Sequence, residues 1–194
     1  MGKMILGQTD ILIAVVKLLQ KHKINFLLTG SFAVSYYGVP RATHDIDLII
    51  EIEKRIPLTD ALSKLGHEYD IPGKNIITNP QTREFNIYHP DTGVKVDFWR
   101  MPKSQFNQEY QRKKVIKIGK ILVPIVSAED LILTKLAWCK EVFSERHFND
   151  CVGIWRIQKE KLDMQYLRVK AKEAGIETLL HRVISGIHLS MGIW

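Results

Sequence analysis

The chain has 194 residues, 45% of them apolar and 25% charged, an ordinary balance for a globular chain with a sizeable core. That balance excludes a disordered or fibrous protein. The apolar run from Ile11 to Leu19 is broken by Lys17 and falls short of the ~20 residues that span a bilayer. The net charge of +7 favours polyanionic partners, and plain solubility explains it equally well.

Thr9 or Asp10 is placed to cap a first helix over 10–22, whose apolar residues cover more than one face and so fit between other layers. A short apolar strand ends at Leu28. Gly30 makes the turn, and Ser31 opens a helix that closes at Tyr37, with Gly38 suited to follow its C-terminus. Asp45 to Glu51 reads as a strand. Pro57 to Leu65 reads as a helix with Pro57 in its first turn, and 69–80, with Pro72-Gly73 and Asn79-Pro80, as loop. Arg83 to His89 and Val94 to Trp99 form a hairpin around the Pro90-Asp91-Thr92-Gly93 turn. In its return strand Lys95, Asp97 and Trp99 face one way and Val94, Val96 and Phe98 the other.

A short basic helix over 105–112 precedes a small hairpin, 115–118 with 121–126, around Gly119-Lys120. Ser127 caps a clear helix to Phe143, with Glu129 and Asp130 suited to its positive end. Helices over 145–158, 164–174 and 176–188 follow. The chain therefore divides into a mixed α/β part, 1–126, and a C-terminal helical part, 127–194, an α+β organisation. Cys139 and Cys151 fall in apolar helical patterns, which predicts reduced thiols and not a disulfide framework. With no small-residue cleavage site and with Leu6 where myristoylation needs Ser or Thr, a cytoplasmic protein is expected.

The chemistry concentrates in Leu28 to Ile50. Asp45 and Asp47, at i and i+2 of a strand, point to one face about 6–7 Å apart. Ile46, Leu48 and Ile50 point the other way. Two carboxylates on one face require cations or water. At Gly30-Ser31, at Asp45-Ile46-Asp47 and at Asp97 in Val94-Lys-Val-Asp-Phe98, the chain resembles the nucleotidyltransferase superfamily with the DNA polymerase β-type fold. The flavour of GVPRATHDIDLII is similar to small bacterial and archaeal members found in toxin–antitoxin and abortive-infection systems. The resemblance implies a polymerase β-like core of mixed sheet with flanking helices. It also implies transfer of a nucleotide from a nucleoside triphosphate to a hydroxyl.

Two Mg2+ ions about 3.5–4 Å apart serve both ends of such an in-line displacement, and Mn2+ substitutes for them. Hard cations want carboxylate oxygens, so Asp45, Asp47 and Asp97 are the expected metal ligands and catalytic residues. Gly30 lets phosphate approach the main chain, and Ser31 at the helix start adds a hydrogen bond. The resemblance implies that Arg41 and Thr43 lie near the triphosphate; a surface Arg and a strand-entry Thr are the alternatives, the second weighing more than the first. Lys135 lies on a stripe with Leu131, Trp138 and Val142. It either reaches the phosphates, as the family's closing helix implies, or snorkels to solvent. Arg146 and Asp150, at i and i+4, suit a surface ion pair. Trp99 either stacks a base or fills core. Cys139, His147 and Cys151 lack a fourth ligand for zinc.

The resemblance to the toxin members implies RNA, tRNA above all, as acceptor, with a toxin role and an antitoxin partner, and the basic stretch Arg112, Lys113, Lys114, Lys117 and Lys120 supports a polyanion. The same stretch reads alternatively as a protected sheet edge. A small-molecule or protein hydroxyl as acceptor, or a catalytically idle partner in a toxin–antitoxin pair, are the alternatives. Cationic aminoglycosides would prefer acidic walls, which a basic composition does not advertise.

Overall fold

The computed structural model describes residues 7–186. It divides into two compact units: one holds residues up to Phe32 and Ala42–Val126, the other Ala33–Arg41 and the chain from Ser127 onward. The segment Ala33–Arg41 thus belongs with the helical unit. Among the described residues no helix is long and apolar enough to cross a membrane.

The first unit is built on a mixed six-stranded sheet: β1 (Phe26–Thr29), β2 (Asp45–Glu51), β3 (Glu84–His89), β4 (Val94–Met101), β5 (Lys114–Ile118) and β6 (Ile121–Ile125). Their spatial order is β3-β4-β2-β1-β6-β5. Strands β1 and β2 are antiparallel, β2 and β4 parallel, and β3 and β4 form the expected hairpin. Ile46, Leu48, Val96, Phe98 and Ile87 fill the core face, as the alternation requires. Helix α1 (Gln8–Lys21) buries Ile11, Leu12, Val15, Val16 and Leu19. Its cap differs from the expected Thr9 or Asp10. Gly7 stands at the N-cap, and the Asp10 carboxylate accepts a 2.8 Å hydrogen bond from the Gly7 N–H.

Helix α2 (Gly30–Tyr37) starts one residue early, at Gly30. Helix α3 (Arg55–Leu62) keeps Pro57 in its first turn. The stretch expected as loop contains a short helix, α4 (Lys74–Thr78), which Pro72-Gly73 and Asn79-Pro80 delimit instead of preventing. Gly73 is its N-cap, and Ile77 is buried. The carbonyls of Ile77, Asn79 and Thr82 accept from the buried Arg100 guanidinium, which ties this segment to β4. Helix α5 (Lys103–Arg112) buries Phe106.

The second unit contains α6 (Ala128–Glu141), α7 (Glu145–Gln158), α8 (Met164–Ala174) and α9 (Glu177–Ser185). Ser127 caps α6 as expected: its Oγ accepts from the Asp130 N–H at 3.0 Å and donates to the Asp130 carboxylate at 2.6 Å. Tyr166 on α8 donates to the other Asp130 oxygen at 2.7 Å. Helix α6 stops at Glu141 because Val142 is extended and largely exposed, two residues short of the expected Phe143. Gly38 does not take the left-handed conformation expected of a helix terminator. A Cβ there would lie 3.1 Å from the backbone and side chain of Ile154, so the glycine admits the close approach of α7. The expected reach of the last helix to His188 lies outside the described residues.

Candidate active site

In the sheet unit the register of β2 and β4 sets Asp45 beside Lys95 and Asp47 beside Asp97. Neighbouring strands lie about 4.8 Å apart, and partners in register share a face. Asp45, Asp47 and Asp97 are therefore brought onto one face. On the next strand Glu84 and Asn86 are register partners of Trp99 and Asp97, so the same face continues across β3. Asp45 is open to solvent, with its side chain 51% exposed, whereas that of Asp97 is 14% exposed. Burial pushes the Asp97 carboxyl above the usual range, and a hydrogen bond from Lys95 pulls partly against it. The Lys95 ammonium, held by that same bond, is pushed up.

Two further side chains of β4 act on these carboxylates. Lys95 Nζ lies 3.0 Å from Asp97 Oδ2 and 3.9 Å from Asp45 Oδ1. Trp99 Nε1 donates to Asp47 Oδ1 at 3.2 Å. The indole therefore orients a carboxylate, a role that neither base stacking nor core filling anticipated. The alternation of β4 already put Lys95 and Trp99 on the Asp97 face. Their bonds to β2 followed only from the parallel register.

Gly30 begins α2 with φ +60°, a left-handed conformation, and a Cβ there would fall inside the Asp47 carboxylate. The start of the helix is thus pressed against Asp47, and Ser31, next in the chain, is buried. Thr43 Oγ1 accepts from the Asp45 N–H at 3.2 Å, which fixes the entry to β2. The donor set of three carboxylates suits a hard divalent cation, and a lysine ammonium already bridges two of them. As the side chains stand, no three carboxylate, imidazole or thiol groups among the described residues converge on one point.

Arg41 and Lys135 lie in the helical unit, where both are paired with Asp150. Arg41 Nε and one terminal nitrogen donate to the two Asp150 oxygens, each at 3.1 Å, and Lys135 Nζ lies 2.9 Å from Oδ2. Lys135 neither snorkels nor stands free, since its side chain is 4% exposed. Asp150 is equally buried and is not the surface partner that its spacing from Arg146 suggested. Burial pushes the Asp150 carboxyl up, but the Arg41 hydrogen bond and the Lys135 charge outweigh it and hold the group below the usual range. The His147 imidazole is pushed down by burial and by Lys135. Burial raises the Cys151 and Cys139 thiols.

The sequence model of the aminoglycoside-2''-adenylyltransferase family matches residues 11–181. No curated protein matches the chain. Solved structures share its fold, three of them as follows. A crystal structure of ANT(2'')-Ia in complex with adenylyl-2''-tobramycin has a TM-score of 0.60 at 16% identity, covering 87% of this chain and 97% of that one. The lincomycin-bound lincosamide antibiotic adenylyltransferase LnuA gives 0.52 at 13%, covering 75% and 95%. An antigenic nucleotidyltransferase-like protein from Paracoccidioides brasiliensis gives 0.56 at 14%, covering 92% of each. At these identities the likeness speaks for the fold alone. The family match spans most of the chain, and on that ground the chain belongs to the aminoglycoside-2''-adenylyltransferase family and is a nucleotidyltransferase.

Proposed function

We propose that the chain transfers a nucleoside monophosphate, AMP from ATP, to a hydroxyl of a polar small molecule of the aminoglycoside class: the hydroxyl oxygen bonds to the α-phosphorus, the bond from that phosphorus to the bridging oxygen breaks, and pyrophosphate leaves. The observation that carries this reading is the register that unites Asp45, Asp47 and Asp97 beside the Gly30 helix start, in a chain whose family model is that of an aminoglycoside adenylyltransferase. ANT(2'')-Ia and LnuA, alike in fold, carry small antibiotics. These findings favour the small-molecule acceptor over the RNA acceptor expected from the basic composition. They lend no support to a toxin role or an antitoxin partner.

The charge objection to an aminoglycoside weakens at the site itself. The chain is basic as a whole, yet Asp45, Asp47, Asp97 and Glu84 share a face of β2, β3 and β4 with the ammonium of Lys95. A polycation responds to the field where it lands, not to the net charge.

Asp45, Asp47 and Asp97 would hold divalent ions, which supply charge neutralisation at the phosphate oxygens and acidify the acceptor hydroxyl. The backbone N–H groups at the start of α2, with Ser31, receive phosphate oxygens, and Gly30 keeps that approach free of a side chain. Asp97, far less exposed than Asp45 and with its carboxyl raised by burial, is suited to accept the acceptor's proton. Trp99 keeps Asp47 turned toward the face. The RNA reading retains one observation in its favour, the basic hairpin edge at Lys114, Lys117 and Lys120.

The test is direct. The protein is incubated with each α-labelled nucleoside triphosphate, Mg2+, and in turn an aminoglycoside panel, a lincosamide and total RNA. Label from ATP entering an aminoglycoside, and absent with Asp47→Asn, is the expected result. Label entering RNA or a lincosamide instead, or no transfer by folded protein, overturns it.

A further inference from the structure

We propose that Lys95 is a resident counter-ion of the carboxylate face. Its ammonium occupies the place between Asp97 and Asp45 that a divalent cation takes, so that cation binding and the departure of Lys95 are one event. The inference rests on the reading of Asp45, Asp47 and Asp97 as the cation-holding set.

The geometry fixes Lys95 there by two independent routes. Along β4 it stands two residues before Asp97 and so shares its face, and across the parallel ladder it is the register partner of Asp45. Its Nζ consequently lies between the two carboxylates, 3.0 Å from Asp97 Oδ2 and 3.9 Å from Asp45 Oδ1. Three carboxylates gathered on one face repel one another, and a single ammonium offsets part of that repulsion when no metal is bound. A doubly charged cation between the same oxygens would sit within about 4 Å of the ammonium, a separation at which like charges are strongly opposed. Both cannot stay. Lys95 is able to leave, because its stem is long and its side chain is 39% exposed. Lys103 and Glu53 make an ordinary exposed pair at 3.5 Å elsewhere in the same unit, and that pair supplies the control.

Binding of Mn2+ alone, without nucleotide, is measured by calorimetry and by the electron-spin signal of the free ion. The proteins compared are wild type, Lys95→Met, Lys95→Gln, Lys95→Arg, Lys103→Met and Asp47→Asn. Removing the resident charge is expected to tighten Mn2+ binding about tenfold in Lys95→Met and Lys95→Gln. Lys95→Arg stays near wild type, and Lys103→Met does not change. Without metal, Lys95→Met melts below wild type, and Mn2+ raises its melting temperature more than it raises that of wild type. Should Lys95→Met not fold, Lys95→Gln, which keeps a polar tip, carries the same reading. Binding that is lost in Asp47→Asn yet equal or weaker in the Lys95 variants overturns this proposal and leaves the transferase reading standing. No saturable binding by any of the proteins overturns the cation reading and this proposal with it.

Discussion

The Cβ that residue 30 lacks would lie inside the carboxylate of Asp47, although the two residues belong to a helix start and a strand seventeen positions apart in the chain. Gly30→Ala therefore has two effects. The left-handed φ disfavours any side chain by about 1–2 kcal/mol. The methyl also forces Asp47 to turn away from the face. The expected outcome is a fold kept by circular dichroism, a small loss of stability, and kcat/KM lower by about 100-fold or more, since ångström-scale misplacement of a catalytic group has that effect. Wild-type turnover in Gly30→Ala would show that the observed Asp47 position is not needed.

Trp99 offers a gentler perturbation of the same carboxylate. Trp99→Phe keeps a ring on the face and removes the N–H that donates to Asp47. A hydrogen bond to a charged acceptor contributes roughly 1.5–3 kcal/mol, less where water replaces it, so kcat/KM is expected to fall by about tenfold. Thermal stability should move little. A large loss of stability with unchanged turnover would assign Trp99 to packing instead.

Much of this site was readable in the sequence because its signals are local. Alternation in Asp45 to Ile50 and in Val94 to Trp99 decided which residues face together, and Gly30-Ser31 announced the helix start. Partners set by distant register were not readable. Nothing near Asp150 in the chain reveals that Arg41, 109 residues away, takes its carboxylate. Its i−4 neighbour Arg146 was the local candidate. Nor does the strand holding Lys95 reveal that β2 runs parallel beside it. The RNA acceptor, which the family match favours less than the small-molecule alternative, was expected from charge, and a composition averages charge over the chain whereas a ligand meets one face. The helix α4 was missed because its five residues are too few for a periodicity to show.

The two thiols provide a check on the helical unit. Cys151 is fully buried and Cys139 nearly so, and burial raises both thiols. Reaction requires the thiolate and access. Native protein is expected to resist iodoacetamide over hours at pH 8, with both cysteines labelled at once in denaturant, as followed by mass spectrometry. Rapid labelling of Cys151 under native conditions would contradict the packing of α7.

Lys135, Arg41 and Asp150 form a charge cluster in the helical unit, with Lys135 and Asp150 buried. Asp150→Ala leaves Lys135 buried beside no counter-ion, and breaking a pair in this way destabilises by about 3–5 kcal/mol. The double variant Lys135→Met with Asp150→Leu removes both charges and is expected to be the more stable of the two. Urea denaturation distinguishes them. A double variant no more stable than Asp150→Ala would mean that Arg41 alone requires the carboxylate.

The same cluster gives the protein an acid-sensitive element whose direction is fixed by linkage. The Asp150 carboxyl is held below its ordinary value in the folded chain, so the unfolded chain binds the proton more readily. Its stabilising contribution is complete above the unfolded carboxylate value of about 4 and fades as pH falls through the lower folded value. Asp150→Asn mimics the protonated group at every pH. The stability gap between wild type and Asp150→Asn, measured by urea denaturation at successive pH values, should therefore be widest and flat from pH 5 to 7. It should narrow progressively below about pH 4. A gap that stays constant into the acid range would show that Asp150 is not the titrating group, and a gap that widens there would reverse the sign of the shift.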